Sequence, residues 1–234
     1  MAINDDELSA STIAAIAAAG RMCLVSDIDG TLVLEDSTEQ PGLAELAAFL
    51  SEHRSHFLFA VATGRNLTQT IEIFAACGLP RPDVIIASVG AEIFHGESAI
   101  ADAEWSEHIG AGWNARQLVA LEKTVPGLWL QEQDRQGPHK VSFYVDPETF
   151  REERLVAVLK EAKLDVTAVY SRGRFLDILP PAASKGKALH YLCSKYSITI
   201  DRTIAFGDSG NDRVTVHTHP IAAGGADEGG TATA

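Results

Sequence analysis

Met22-Cys23-Leu24-Val25-Ser26-Asp27-Ile28-Asp29-Gly30-Thr31-Leu32 decides the fold class. Four apolar residues and a serine run straight into two carboxylates and a Gly-Thr turn. A run without polar alternation is the pattern of a strand buried on both faces, as in a parallel sheet. The same pattern returns at Phe57-Leu58-Phe59-Ala60-Val61-Ala62, at Val84-Ile85-Ile86-Ala87 and at Thr203-Ile204-Ala205-Phe206. Between the first three, residues 43–53 have helical spacing, and Asn66 is placed to cap a helix that ends at Gly78. Strands alternating with helices predict an α/β fold, a parallel sheet covered on both faces. Ligands of such sheets sit beyond the carboxyl ends of the strands, and Asp27, Asp29 and Thr63 all fall there.

The middle of the chain reads differently. Ile93-Phe94, Trp129-Leu130-Gln131 and Val141-Ser142-Phe143-Tyr144-Val145 have the look of antiparallel strands, with helices over 113–123 and 148–162. Val166 to Tyr170 and Arg174 to Leu179 make a hairpin around Ser171-Arg172-Gly173. Residues 90–180 are therefore read as an inserted α+β domain, with Pro180-Pro181 marking the return. The expected organisation is a helical leader over 1–20, core over 21–89, the insertion over 90–180, core again over 181–221 and a Gly/Ala/Thr-rich disordered tail over 222–234. In the second core part, residues 187–195 are helical and precede the fourth buried strand.

Bulk properties narrow the partners. A net charge of −13 argues against a nucleic-acid backbone, which needs a positive surface. It leaves a small anionic substrate open, because a metal ion and a few local cations can reverse the field in a cleft. No apolar run approaches the ~18 residues of a membrane span. Asp5, Asp6 and Glu7 do not make the basic start of a signal peptide. Cys23, Cys77 and Cys193 lack metal-ligand spacing, so a reduced, cytoplasmic chain with buried thiols is expected.

Four clusters carry chemistry. Asp27 and Asp29 at a strand end can hold a hard cation and leave one oxygen to attack. Thr63 with Gly64 offers a hydroxyl and backbone N–H groups to a phosphate oxygen. Lys185 is a point charge for a phosphoryl group. Asp208 and Asp212, with the amide of Asn211 between them, repeat the paired-acid arrangement at the end of the fourth strand. Alone, each is ordinary: an Asp-x-Asp turn, a strand-to-helix turn, a surface lysine, acids at a helix start. Their occurrence in order, each at a predicted strand end or helix start, favours one site.

Asp27-Ile28-Asp29-Gly30-Thr31-Leu32, Ala62-Thr63-Gly64-Arg65, Ser184-Lys185-Gly186-Lys187-Ala188-Leu189 and Gly207-Asp208-Ser209-Gly210-Asn211-Asp212 resemble the four motifs of the haloacid dehalogenase-like phosphatases. The resemblance implies a Rossmann-like core of that type, with an α+β cap of the Cof type between the second and third motifs. It implies Asp27 as the nucleophile that is phosphorylated and Asp29 as the acid and base. Thr63 would hold a phosphoryl oxygen, with Gly64 and Arg65 beside it at the phosphate or substrate, and Lys185 would balance the intermediate's charge. Mg²⁺ would be ligated by Asp27, Asp29 through its backbone carbonyl, and Asp208, supported by Asn211 and Asp212.

Within that superfamily Ser88 to Phe94, Gly137 to Phe143 and Leu176 to Pro180 resemble the sucrose-phosphate phosphatases and the phosphatase domain of bacterial sucrose-phosphate synthases. A phosphorylated sugar is the substrate so implied, sucrose 6-phosphate or a related glycosyl phosphate. A homo-oligomer or association with a sugar-phosphate synthase is left open. Two other functions fit the resemblance: a weakly catalytic regulatory domain of sucrose synthesis, and a phosphomutase. Specificity is expected from polar cap residues, Glu92, Lys140 and His139, although Glu92 and Lys140 also fit a plain surface pair. Trp105 and Trp113 fit a core role better than stacking on a sugar. After Asp212 the chain departs from the family pattern. Arg213 to Pro220 has poor helical spacing, and a sheet edge left open or covered by a partner is expected.

Overall fold

The computed structural model describes residues 20–34 and 42–207. The expected leader helix, the fourth cluster with Asp208, Asn211 and Asp212, and the tail lie outside the described residues.

The first sheet grows from the apolar runs. Strand β1 (Met22–Ser26) is followed by helix α1 (Leu43–Glu52), β2 (Phe57–Ala62), α2 (Leu67–Ala76) and β3 (Val84–Ala87). Side chains alternate along these strands and separate two cores. Cys23, Val25, Leu58, Ala60, Val84 and Ile86 pack on one face of the sheet. Leu24, Phe57, Phe59, Val61 and Ile85 pack on the other, against Leu43 and Leu50 of α1 and Phe74 of α2. Helix α2 starts where expected, with a reciprocal cap between Asn66 and Gln69. Gly78, at φ 64°, ends it in the left-handed conformation that glycine tolerates.

β4 (Glu92–His95) and β5 (Ile100–Ala101) come next, then α3 (Ala103–Gly110). β4 is antiparallel, as expected of Ile93-Phe94, but it pairs with β3. It therefore extends the first sheet instead of opening the insertion at residue 90. Helix α3 is not foreseen by the sequence reading. It packs Trp105 and Ile109 into the first core, so Trp105, 2% exposed, is a core residue.

The second sheet has its own core. The segment expected as one helix over 113–123 is a short helix, α4 (Ala115–Val119), followed by a 3-10 turn over Ala120–Lys123. Strands β6 (Leu128–Leu130) and β7 (Val141–Val145) precede α5 (Glu152–Glu161), which begins four residues later than expected. The hairpin β8 (Thr167–Ser171) and β9 (Phe175–Leu179) completes the set. The order is β6-β7-β9-β8, antiparallel throughout. Val141, Phe143, Val145, Leu176 and Ile178 meet Leu118 of α4 and Leu155 and Leu159 of α5. The chain then returns through α6 (Lys185–Lys195) to β10 (Thr203–Phe206), which lies parallel beside β1. The first sheet has the order β10-β1-β2-β3-β4-β5. Among the described residues β10 stands at its end, with Ile204 and Phe206 exposed.

A polar network ties α6 to this sheet. Asp102 caps α3 through the Trp105 N–H at 2.9 Å and also meets His95 Nε2 at 2.7 Å, the Tyr191 hydroxyl at 3.0 Å and Lys195 Nζ at 3.1 Å. Burial alone would raise the Asp102 pKa. The Trp105 N–H and the bonds from His95, Lys195 and Tyr191 outweigh it and hold the value at about 2, against 3.8 ordinarily. A depressed carboxylate stabilises the fold above its unfolded pKa, and that contribution is lost as pH falls. Asp102→Asn should therefore cost about 2 kcal/mol near pH 6. Its deficit from the parent should shrink as thermal melts are taken from pH 4 down to 2. A deficit constant over that window would show that the charge is not what stabilises.

Candidate active site

Asp27 follows the last residue of β1, and its backbone N–H donates to the Phe206 carbonyl at 2.9 Å. This ladder bond keeps the ends of β1 and β10 side by side. Asp27 Oδ1 accepts the Ile28 N–H at 2.7 Å, and Oδ2 lies 3.0 Å from Lys185 Nζ. The two side chains are only 9% and 6% exposed. Lys185 opens α6, which starts there because Ser184 caps it by accepting the Lys187 N–H at 3.1 Å. The helix thus starts two residues earlier than the sequence spacing predicts. Charges so deeply placed survive only when paired. A cation at a carboxylate oxygen is also placed to balance charge added to that oxygen.

Thr63 directly follows β2 and is fully buried, its N–H donating to Ile86 O at 2.9 Å. Its hydroxyl oxygen accepts the Arg65 N–H at 3.1 Å, which folds the Thr63-Gly64-Arg65 turn back on itself. The Arg65 guanidinium grips the Asp29 carboxylate, with Nε at 3.1 and 3.0 Å from its two oxygens and NH2 at 2.6 Å from Oδ1. Asp29 and Arg65 are 19% and 31% exposed at their side chains. Solvent therefore meets this group of residues at the Asp29–Arg65 pair, with Asp27, Thr63 and Lys185 beneath it.

The loop before β7 reaches the rim of the first sheet. The Asn66 side-chain amide donates to Asp134 O at 2.9 Å. A Cβ built on Gly137 would lie 3.5 Å from Glu92 Oε2 and 3.5 Å from Lys140 Cβ, so Glu92 and the Lys140 stem face the same glycine. The surface-pair reading of Glu92 and Lys140 is corrected here. Lys140 is buried and sits 3.6 Å from Asp177, whose Oδ1 also accepts the Ser142 hydroxyl at 2.5 Å. Glu92 is half-buried and accepts the Ser88 hydroxyl at 2.8 Å. His139 is half-buried; burial lowers its pKa, opposed by the Glu92 carboxylate. Its Nδ1 has no hydrogen-bond partner among the described residues. The Trp113 indole N–H donates to Pro138 O at 2.9 Å, and the ring packs at the edge of the second core.

Of the expected metal ligands, Asp27 is in place, and the Asp29 carboxylate is taken up by Arg65. Asp208 lies outside the described residues, two positions after Phe206 in the sequence. Among the described residues no three His, Cys, Asp or Glu side chains converge as a metal site. The donors at hand, the Asp27 carboxylate and the Asp29 backbone carbonyl, are hard oxygens that fit Mg²⁺. Sequence reasoning missed Asp177 as the partner of Lys140. An acid set between apolar neighbours in Phe175-Leu176-Asp177-Ile178-Leu179 was the available signal.

Comparison with known proteins follows the same residues. The sucrose-6F-phosphate phosphohydrolase family matches residues 20–223. Sucrose-phosphatase 2 of Nicotiana tabacum is 36% identical over 203 residues, which are 84% of this chain and 48% of that protein. The chain thus spans about half the length of the plant relatives it matches. Mannosylfructose-phosphate phosphatase of Agrobacterium fabrum is 30% identical over 191 residues, 81% of this chain and 76% of that one. The sucrose-phosphatase of Synechocystis sp. PCC6803, solved in complex with sucrose and phosphate, superposes with a TM-score of 0.74 at 31% identity over 82% of this chain and 78% of its own. A haloacid dehalogenase-like hydrolase of Bacillus subtilis, at 19% identity and a TM-score of 0.57, covering 87% of this chain and 84% of its own, shares the fold.

Proposed function

Because the chain belongs to the sucrose-6F-phosphate phosphohydrolase family, within the haloacid dehalogenase-like fold, we propose that it removes phosphate from a phosphorylated sugar through an aspartyl-phosphate on Asp27. The observation that carries this reading is the buried Asp27–Lys185 pair, with the Thr63 turn and the Asp29–Arg65 pair around it. An Asp27 carboxylate oxygen attacks phosphorus in line, and the bond from phosphorus to the sugar oxygen breaks. Asp29 gives its proton to the departing sugar oxygen. It then takes a proton from the water that attacks the aspartyl-phosphate, and inorganic phosphate leaves. Lys185 neutralises the transferring group and Thr63 holds one of its oxygens, while Arg65, which grips Asp29 in the free protein, would exchange that carboxylate for the phosphoryl oxygens and leave Asp29 to carry its proton. Mg²⁺, held by Asp27, the Asp29 carbonyl and Asp208, would supply charge neutralisation at the phosphoryl oxygens. The covalent route divides one hard displacement into two easier ones.

The substrate class rests on the loop around Lys140. A buried lysine beside Asp177, with Glu92 facing the same Gly137 and His139 next in the chain, offers donors and acceptors to sugar hydroxyls. We infer a glycosyl phosphate, with sucrose 6-phosphate as the first candidate and mannosylfructose phosphate as the second. The test is phosphate release from both sugars, and from an aryl phosphate, with Mg²⁺ and with EDTA. Magnesium-dependent release from one of the two sugars is expected. No release from either by a folded sample would favour a regulatory module.

Lys140→Met sharpens the reading. Loss of one charged hydrogen bond to substrate should raise KM for the sugar phosphate about tenfold, or ~1.4 kcal/mol, with kcat within about threefold. Turnover of the aryl phosphate, which carries no sugar hydroxyls, should stay unchanged. An equal loss on both substrates would remove Lys140 from the sugar site.

A further inference from the structure

Ser88, Val89 and Gly90 follow β3 with φ of 52°, 60° and 94° in succession, and all three are buried. Left-handed backbone is costly for any residue with a side chain, and most for a β-branched one. A buried run of it persists only where the surroundings over-determine it. On one side, the Ser88 N–H donates to Arg65 O at 2.9 Å and the Val89 N–H to Thr63 O at 2.9 Å. On the other, a Cβ built on Gly90 would fall 2.3 Å from Ser184 C, 2.4 Å from its oxygen and 2.6 Å from Lys185 N. Backbone therefore meets backbone where α6 begins. The Gly90 carbonyl accepts the Trp105 indole N–H at 3.1 Å, which anchors the turn to α3.

We propose that this turn is a spacer that sets the separation between the Thr63–Arg65 turn and Lys185, with Val89 as its positioning residue. The proposal rests on the phosphatase reading above. Thr63 directly follows β2 and Lys185 begins α6, 122 positions apart in the chain numbering, and the turn touches both. The left-handed backbone aims two consecutive N–H groups at one loop while leaving the Gly90 Cα bare for the helix start. In an extended conformation the same three residues would withdraw both N–H groups. Backbone contacts yield less than side-chain contacts, so the separation is held stiffly.

Two substitutions distinguish a spacer from simple packing. Val89→Ala and Val89→Gly both remove the valine methyls. Alanine keeps the restricted, strained backbone, whereas glycine occupies φ 60° without strain and frees the turn. Val89→Gly should therefore melt about 2–4 °C above Val89→Ala. Its kcat on the sugar phosphate should nevertheless be about tenfold lower, since misplacement by about 1 Å costs up to ~100-fold. KM should stay within about twofold in both. If Val89→Ala fails to fold, Val89→Thr, close to valine in shape, takes its place in the comparison. Activity that follows melting temperature, or equal kcat in the two variants, overturns the spacer while parent activity leaves the phosphatase reading intact. No magnesium-dependent release by the parent chain overturns both.

Discussion

Asp27→Asn should abolish phosphate release, by about 10³-fold or more, while leaving a folded protein. The amide is isosteric and keeps an oxygen for the Ile28 N–H, so the strand end need not move. It lacks the charge and nucleophilicity to take the phosphoryl group. Removing a carboxylate 3.0 Å from a lysine that is 6% exposed also takes one opposite charge away from a buried cation. The cost is about 3 kcal/mol, or roughly 6–12 °C in melting temperature. The double substitution Asp27→Asn with Lys185→Met separates the two effects. With neither charge present, the melting temperature should return most of the way to the parent value, and activity should not return at all. If Asp27→Asn alone keeps more than a tenth of the parent rate, Asp27 is not the nucleophile.

Asp29→Asn has the second largest expected effect, and it should depend on the leaving group. On a sugar phosphate, kcat should fall about 10²–10⁴-fold, because an alkoxide must be protonated as it departs. On an aryl phosphate the phenolate needs no such help, so Asp27 should still be phosphorylated quickly. Breakdown of the aspartyl-phosphate still lacks its base. A burst of one phenolate per enzyme, followed by a slow steady rate, is the expected time course. Stability should change little, since the ion pair with Arg65 is 19% and 31% exposed and such pairs contribute about 0–1 kcal/mol. Equal losses on both substrates without a burst would remove Asp29 from the acid–base role.

The first sheet was largely legible because β1, β2 and β3 are buried on both faces and read as unbroken apolar runs. The start of α2 was legible because Asn66 and Gln69 form a local cap. What the sequence hid was tertiary. Ile93-Phe94 has the pattern of an antiparallel strand, but nothing local tells which sheet it joins. Helix α3 has only Trp105 and Ile109 as large apolar residues, four apart, and Asp102 as its cap was the signal passed over. The spacing over 113–123 predicts one helix, where the structure has a short helix and a 3-10 turn.

In the site, Asp27, Thr63 and Lys185 could be named from their places at strand and helix ends. The Lys140–Asp177 and Arg65–Asp29 pairs could not, because each joins residues at least 36 positions apart. Nor could the left-handed Val89 be foreseen, since valine is among the least expected residues there.

The placement of β1 has a consequence for the birth of the molecule. One of its neighbours, β2, is the next strand in the chain, while the other pairs Cys23 with Thr203, 180 residues later. At ribosomal rates of about 5–20 residues per second, the strand that delivers Asp27 waits roughly 10–40 s for that second neighbour. During the interval its outer edge offers unpaired N–H and C=O groups to any passing strand. The pairing is also among the least local in the molecule, which places its closure late and slows folding. The end of β1 that carries Asp27 is thus the last part of the first sheet to be finished, and the half-made chain is the form most exposed to aggregation.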